Sequence, residues 1–458
     1  MNKEKKALVV GAGLVGALWA VFLAKRGYNV SVYEQRGDMR RAGYSGGRSI
    51  NLAMSDRGWK AVEKAGIKEK LTSVAIPMYG RMMHPVSGEL VFQPYGKENQ
   101  AIYSVSRGGL NLELLNIAAS FPNVELYFDQ KCRRFEPSEG AVWFEGPDRQ
   151  LKKVEAPIIF GVDGAFSAIR NSLQRLPRFN YSQSYLDYGY KELNISPNED
   201  GSHRLEKNAL HIWPRGQFML IGLPNIDGSF TCTLFLPFEG SEAAFDRLDS
   251  DEAVMTFFRQ YFPDAIPLMP TLLEDFRQNP AAALVTVRCN PWHYQDKVLL
   301  LGDAAHAIVP FFGQGMNAGF EDCTILDGLI DDFEGDWGHI ASTFSANRIT
   351  DGNAIAELAL RNFIEMRDLV ADPRFLLRQK IAARLHEKHS SFLPTYSMVT
   401  FSNIPYSQAL QAADAQNVLF ERILALPDIE QTWENNEQIE AIFQDWLQET
   451  TQRYISVQ

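Results

Sequence analysis

A chain of 458 residues, 45% of them hydrophobic, can bury a large core and divides into two or three structural units. Its 45 basic residues against 56 acidic ones give a net charge of −11, which excludes the basic stripe that a nucleic-acid groove requires. Small molecules and nucleotides are the ligands that remain.

The basic start of MNKEKKALVVGAG leads into an apolar run interrupted by glycines, so it does not read as a secretory signal. Residues 7–10, ALVV, form a short strand, and LVGALWAVFLAKRG continues as a helix that Gly27 ends in a left-handed turn. A second strand, NVSVYE, completes a β-α-β unit within 34 residues, whose crossover implies a parallel sheet packed with helices. From about 179 to 284, aromatic and β-branched runs such as ALHIWPRGQFMLIGLP are separated by Pro, Gly and Asp, the pattern of antiparallel strands in a second domain. Residues 298–301 return to a buried strand followed by a glycine-rich loop and a helix, so the first domain is discontinuous. From about 341 the chain is helical, and Ile439, Ile442, Phe443, Trp446 and Leu447 form an apolar stripe that reads as core packing. No stretch reaches the ~20 apolar residues of a membrane span. Cys132, Cys232, Cys289 and Cys323 show neither C-x-x-C nor metal-ligand spacing. A cytoplasmic protein with free thiols and no metal is expected.

Gly11, Gly13 and Gly16 make G-x-G-x-x-G between the first strand and its helix. The first two allow a tight turn beside a pyrophosphate, the third permits close helix packing, and the helix N-terminus faces the phosphate charge. Glu34, eighteen positions past Gly16, ends the second strand where a carboxylate can accept from ribose hydroxyls. This unit alone does not separate FAD from NAD. Asp303, just past the buried strand in LLLGDAAH, can meet a polyol hydroxyl, and NAD has no ribityl chain for such an acid. PFFGQGMNAGFED then supplies a glycine-rich turn and a helix start whose amides can face negative charge on a flavin ring. His306, with no partner visible in the sequence, reads as a packed or capping histidine.

GAGLVG at 11–16, VDGAFSAIR at 162–170 and GDAAH at 302–306, in that order, resemble the three fingerprints of the FAD-dependent aromatic hydroxylases. The resemblance implies bound FAD, with NADPH or NADH as a transient visitor, which agrees with the lack of a second complete strand-glycine-helix unit. It implies that Arg107 approaches the FAD phosphates, that Ala53 lines the cofactor site, and that Asp163 and Gly164 serve both FAD and the nicotinamide cofactor. It also implies that Gly315, Met316 and Asn317 present backbone near the ring. From the residues alone, the lesser alternatives are a solvated arginine for Arg107 and a turn or cap for Asp163. The fold class expected is α/β, with a discontinuous Rossmann-like FAD-binding domain (1–75, 97–178 and 285–340), an antiparallel β-sheet substrate domain (76–96 and 179–284) and a C-terminal helical region (341–458).

GRSINLAMS (47–55), RMMHPVSGELVFQPYG (81–96), RNFIEMR (361–367) and YSMVTFS (396–402) narrow the resemblance to the kynurenine-hydroxylating members of that family, over nearly the whole chain. This implies that Arg81, Tyr95, Asn362 and Tyr396 bind the amino-acid end of L-kynurenine. The chemistry of the residues stands beside it, because a guanidinium fork matches a carboxylate in two hydrogen bonds and a tyrosine hydroxyl can donate a third. Asn362 and Glu365 share a helix face on which an amide and a carboxylate can meet an ammonium, although Glu365 can equally pair with Arg361. Pro310, Phe311 and Phe312 wall the reacting ring or simply pack, and the tyrosines carry the same alternative. The activity implied is hydroxylation of L-kynurenine to 3-hydroxykynurenine with NAD(P)H and O2 through a flavin C4a-hydroperoxide, in tryptophan catabolism and NAD biosynthesis, with no protein nucleophile. A hydroxylase of another aromatic acid, an FAD-dependent reductase and a non-catalytic flavin protein are the alternatives. Eukaryotic members carry a C-terminal membrane anchor, and the polar end of this chain leads to the expectation of a soluble bacterial form whose 407–458 helices cover the substrate pocket.

Overall fold

The computed structural model describes residues 5–41, 51–86, 88–95, 100–366 and 372–455, with side chains to 450. Residues 47–50, Ser87, Gly96 and Arg367 of the quoted segments lie outside the described residues.

The first strand, Lys6–Val10, lies in a six-stranded sheet between Ile158–Gly161 and Asn29–Tyr33, with Val298–Leu300 and Val124–Tyr127 beyond them. All these pairings are parallel, and only the edge strand His293–Tyr294 runs antiparallel. The helix Leu14–Lys25 that crosses between the first two strands is buried from Gly16 to Ala24, as expected of a helix that is apolar all round. Gly27 leaves it with φ +76°.

A seven-stranded sheet follows in the order Ala282–Asn290, Asn180–Ile195, Phe230–Pro237, Met219–Pro224, Ala209–Pro214, Gly80–Met83 and Val91–Pro94. Its pairings are antiparallel except where Ala209–Pro214 runs parallel to Gly80–Met83. Strand Phe230–Pro237 is buried along its whole length because both faces of the sheet are covered. One cover was not anticipated, the helices Asp251–Tyr261 and Leu272–Gln278, where Val254, Phe257 and Phe258 pack near Trp213, Leu220 and Leu234. Ser250 caps the first of these by accepting from the Ala253 amide, a local signal outweighed in the sequence by the surrounding aromatic residues. Phe235, Phe311 and Phe363 form a further core with Ala409 between this sheet and the C-terminal helices. Phe443 and Trp446 of helix Glu437–Ile455 pack with Phe392, Leu419 and Phe420.

The edge hairpin is tied to the sheet by more than its ladder. His84, just past Gly80–Met83, places Nε2 at 2.9 Å from His211 Nδ1, and His211 Nε2 stands 2.8 Å from the Glu206 carbonyl. That carbonyl requires the His211 proton on Nε2, which leaves Nδ1 to accept from His84. Burial pushes His211 down from 6.5 to about 4, so it is neutral in the folded protein. The unfolded chain binds a proton there first, so this contribution is complete above pH 6.5 and is lost as pH falls toward 4. Urea titrations across that window should show a loss of up to about 3 kcal/mol from this residue, and His211→Asn should flatten the profile by the same amount.

Candidate functional site

Three loops meet at the carboxyl ends of the parallel strands Lys6–Val10, Ile158–Gly161 and Val298–Leu300, the edge at which open α/β sheets bind ligands. A Cβ on Gly11, which has φ +103°, would stand 2.4 Å from the Val162 carbonyl oxygen, and one on Gly16 would stand 2.0 Å from the Gly11 oxygen. The chain itself requires those two glycines. Gly13 is different, because its φ of −69° and ψ of −174° suit any residue and a Cβ there would meet nothing within 4 Å. The space kept open above a helix N-terminus fits a pyrophosphate.

Glu34 is buried beside this turn, where Oε2 accepts from the Ala12 amide at 2.8 Å and Oε1 from Arg36 Nε at 2.8 Å. Burial would raise its carboxyl, but Arg36 and the amides hold it below the usual carboxylate range, so it is an anion that both braces the turn and can accept from ribose. Asp163 accepts from Ser167 Oγ at 2.5 Å and from the Ala168 and Ile169 amides at 2.7 and 3.2 Å, at the start of helix Ala168–Leu173, whose N-cap Ser167 accepts from the Arg170 amide. Burial is the largest influence on it and leaves its carboxyl raised. The next loop is held by Arg170, which donates to the Ala165 carbonyl at 2.6 Å and to the Ala304 carbonyl at 2.9 Å. Asp303 opens the short helix Asp303–His306, half-buried. Arg107 is exposed at the start of helix Arg107–Ala119, in electrostatic range of Tyr190.

His306, read from the sequence as a packed or capping histidine, is buried with Nε2 2.6 Å from Asp322 Oδ2 and its ring stacked on Trp292 at 4.9 Å. The ring-side turn is joined to Ala53 through Asn317, whose Nδ2 donates to the Ala53 and Gly313 carbonyls at 2.8 Å each while Oδ1 accepts from the Ser55 amide at 2.9 Å. Gly315 and Met316 begin helix Gly315–Asp332, whose first amides have no intrahelical acceptor.

The second group of predicted residues gathers on the adjoining sheet. Gly80↔Pro94 and Arg81↔Gln93 are cross-strand partners, so the hairpin carries Tyr95 back beside Arg81. The Arg81 guanidinium lies 5.5 Å from the centre of the Tyr95 ring and 4.8 Å from that of Tyr396. Tyr95 stacks on Tyr396 at 5.5 Å, Phe312 stacks on its other neighbourhood at 5.6 Å, and Phe401, which the sequence reading did not single out, closes the group at 6.1 Å from both tyrosines. Among the described residues, Arg81 Nε and the Tyr95 hydroxyl are buried without a hydrogen-bond partner. Burial would lower the Arg81 guanidinium, yet Tyr396 and Tyr95 leave it raised, so it stays charged.

Asn362 is buried and donates Nδ2 to the Phe311 carbonyl at 2.7 Å. Glu365 does not take the Arg361 pairing that its spacing allowed, since Arg361 bonds Glu357 at 3.0 Å and Asp414 at 2.5 Å. Burial raises the Glu365 carboxyl against the opposing pull of Arg378, Arg81 and Arg361. Pro310 is exposed, whereas Phe311 turns into the core against Phe363 at 4.4 Å.

A family model described as an FAD binding domain matches residues 4–329. The chain is 46% identical over 444 residues to a kynurenine 3-monooxygenase of Christiangramia forsetii, covering 96% of this chain and 99% of that one. It is 48% identical over 439 residues to the enzyme of that name from Flavobacterium johnsoniae (95% and 98% covered) and 45% identical over 405 residues to that from Sus scrofa (88% and 85%). Among solved structures, the fold matches 2-methyl-3-hydroxypyridine-5-carboxylic acid oxygenase with a TM-score of 0.65 at 18% identity, covering 84% of this chain and 98% of that one. It also matches Pseudomonas aeruginosa PqsL in complex with 2-aminobenzoylacetate with a TM-score of 0.64 at 18% identity, covering 80% and 97%.

The open space at Gly13 yields a direct test. Gly13→Ala should leave the unfolding midpoint of the apoprotein unchanged while weakening FAD binding at least about tenfold, because the methyl occupies ligand space and strains nothing in the chain. Fluorescence titration of apoprotein with FAD measures the loss, and unaltered affinity would remove Gly13 from the site.

Proposed function

The chain belongs to the kynurenine 3-monooxygenase family of FAD-binding monooxygenases, and we propose that its Arg81, Tyr95 and Tyr396 hold the carboxylate of L-kynurenine while the ring is hydroxylated. The observation that carries this reading is the unmet pocket, where among the described residues the buried Nε of Arg81 has no acceptor and the buried Tyr95 hydroxyl beside it has no partner. Arg81 is half-buried and faced by the Glu365 carboxyl only at a distance, so it retains donors that an incoming carboxylate can meet in two parallel hydrogen bonds. Asn362 has committed its Nδ2 to Phe311, so its amide oxygen is what it can offer the substrate ammonium, with Glu365 beside it as the balancing carboxyl.

Gly11, Gly13, Gly16, Glu34, Asp303 and the 313–317 turn would hold FAD, with Arg107 toward its phosphates. Bound FAD supplies the redox chemistry, taking electrons from NAD(P)H and delivering one oxygen atom of O2 to the aromatic ring. The chain binds and orients. Tyr95, Tyr396, Phe312 and Phe401 surround the substrate with aromatic surface that excludes water, and the distant carboxylate anchor fixes which ring carbon is presented. No side chain is assigned as a nucleophile. In this reading residues 1–75, 97–178 and 285–340 serve the cofactor, residues 76–96 and 179–284 the substrate, and residues 341–458 complete the pocket. The enzyme works in the cytoplasm, an environment in which its four free cysteines stay reduced.

Anaerobic reduction of the bound flavin by NADPH or NADH should accelerate on adding L-kynurenine, and the aerobic product should be heavier by one oxygen. Bound FAD with no response of rate or product would keep the cofactor and remove the substrate. Arg81→Met should retain FAD and raise KM for L-kynurenine on the order of 10- to 150-fold, about 1.5–3 kcal/mol, with unchanged steady-state kinetics as the contrary result.

A further inference from the structure

Building on the carboxylate reading above, we propose that Arg57 is a positioning residue that sets the Tyr396 anchor in register with the ring-side 313–317 turn. Arg57 is 1% exposed, and each of its three nitrogens is engaged within the chain. Nε donates to the Val399 carbonyl at 3.3 Å, Nη2 to the Ile404 carbonyl, and Nη1 to Glu321. Its plane lies over the Tyr406 ring, 4.0 Å from the centre. Buried, and with each nitrogen bonded within the chain, Arg57 acts on a substrate only through what it holds.

Tyr396 sits on helix Thr395–Thr400, which at six residues is too short to be stable by itself. Its start is pinned by Gln416, which accepts from Thr395 Oγ1 at 3.1 Å and donates to the Leu393 carbonyl at 2.8 Å. Its end is pinned by Arg57, through one carbonyl in the last turn and another just beyond it. The opposite side of the same guanidinium grips Glu321, on the helix that begins at Gly315, and Glu321 is held in turn by Arg348 Nη1 at 3.0 Å. The Tyr406 hydroxyl, on the ring beneath Arg57, donates to Gln314 Oε1 at 3.0 Å, immediately before that helix. Arg57 itself follows the strand Asn51–Met54, which bonds Asn317 through Ala53. The segments that carry the carboxylate anchor and the ring-side turn therefore share one buried fork. Lysine presents its three donors from a single nitrogen, so it does not span acceptors that arginine meets from three separate nitrogens.

The consequence is specific to ligands that use the anchor. In Arg57→Lys holoenzyme, the Kd for L-kynurenine, read from the perturbation of the bound flavin's visible spectrum, should rise at least about tenfold. The Kd for kynuramine, the analogue without the carboxylate, should change by less than about twofold, so the discrimination between the two ligands collapses. The double variant Arg57→Met/Glu321→Met removes both charges while leaving Arg348 paired with Asp322 and Asp351, and it should show the same collapse even where Arg57→Lys fails to fold. Discrimination equal to wild type in both variants would overturn the proposal and make Arg57 a stability element. A folded variant that has lost FAD would overturn it in favour of a cofactor role. Equal binding of both ligands by the wild type would remove the carboxylate reading itself, a result separate from either of these.

Discussion

The architecture turns on one carboxylate without water around it. Asp322 is fully buried and is met from three directions, by the Gly302 amide at 3.0 Å, by His306 Nε2 at 2.6 Å and by Arg348 Nη2 at 2.9 Å. Burial alone would raise its carboxyl, and His306 and Arg348 hold it below the usual range. An anion in such a place persists only while its partners keep their positions, because a buried carboxylate that loses them is left uncompensated in a medium of low polarity. The loop after strand Val298–Leu300, the helix Gly315–Asp332 and the helix Trp337–Ile364 are thus constrained to meet at this point. Close packing reinforces the joint, since a Cβ on Gly302 or Gly319 would press on Val15 at 3.1 or 2.5 Å.

Around that joint the two halves of the site are built by different means. The cofactor side consists of backbone turns at strand ends, where glycines permit approach and amides point outward, and it depends on segments that are local in sequence. The substrate side proposed above is made of side chains on an edge hairpin, on a long helix and on a helix of a single turn and a half. The hairpin and the short helix are braced by polar contacts, His84 to His211 for the first and Gln416 and Arg57 for the second. Arg81 is left charged and incompletely bonded inside this frame. That local deficit is what a carboxylate-bearing ligand can repair, and the frame around it converts the contact into a position for the rest of the molecule.

The glycines at 11, 13 and 16, Glu34 and the strand-helix-strand unit were legible because their geometry is dictated within a few residues. Asp163 shows the limit of that approach. From the sequence it was open to a cofactor role or to a turn or cap, and the structure shows its carboxylate accepting from the first amides of helix Ala168–Leu173. Helices Asp251–Tyr261 and Leu272–Gln278 were hidden among aromatic residues that suggest strands, because the need to cover a sheet face overrides local preference.

By itself the sequence determined the nucleotide-binding unit, the alternation of sheet and helix, and, through resemblance, which residues to look for around a carboxylate. The periodicities and short spacings that carry this information act over neighbouring residues. Tertiary structure alone decided that Tyr95 and Tyr396 stack beside Arg81, that His306 belongs to Asp322, that Arg361 turns to Glu357 and Asp414 and not to Glu365, and that Arg57 joins two distant segments. A buried charge takes its partner from whichever chain segments the packing brings within about 3 Å, and no local pattern encodes which segments those will be.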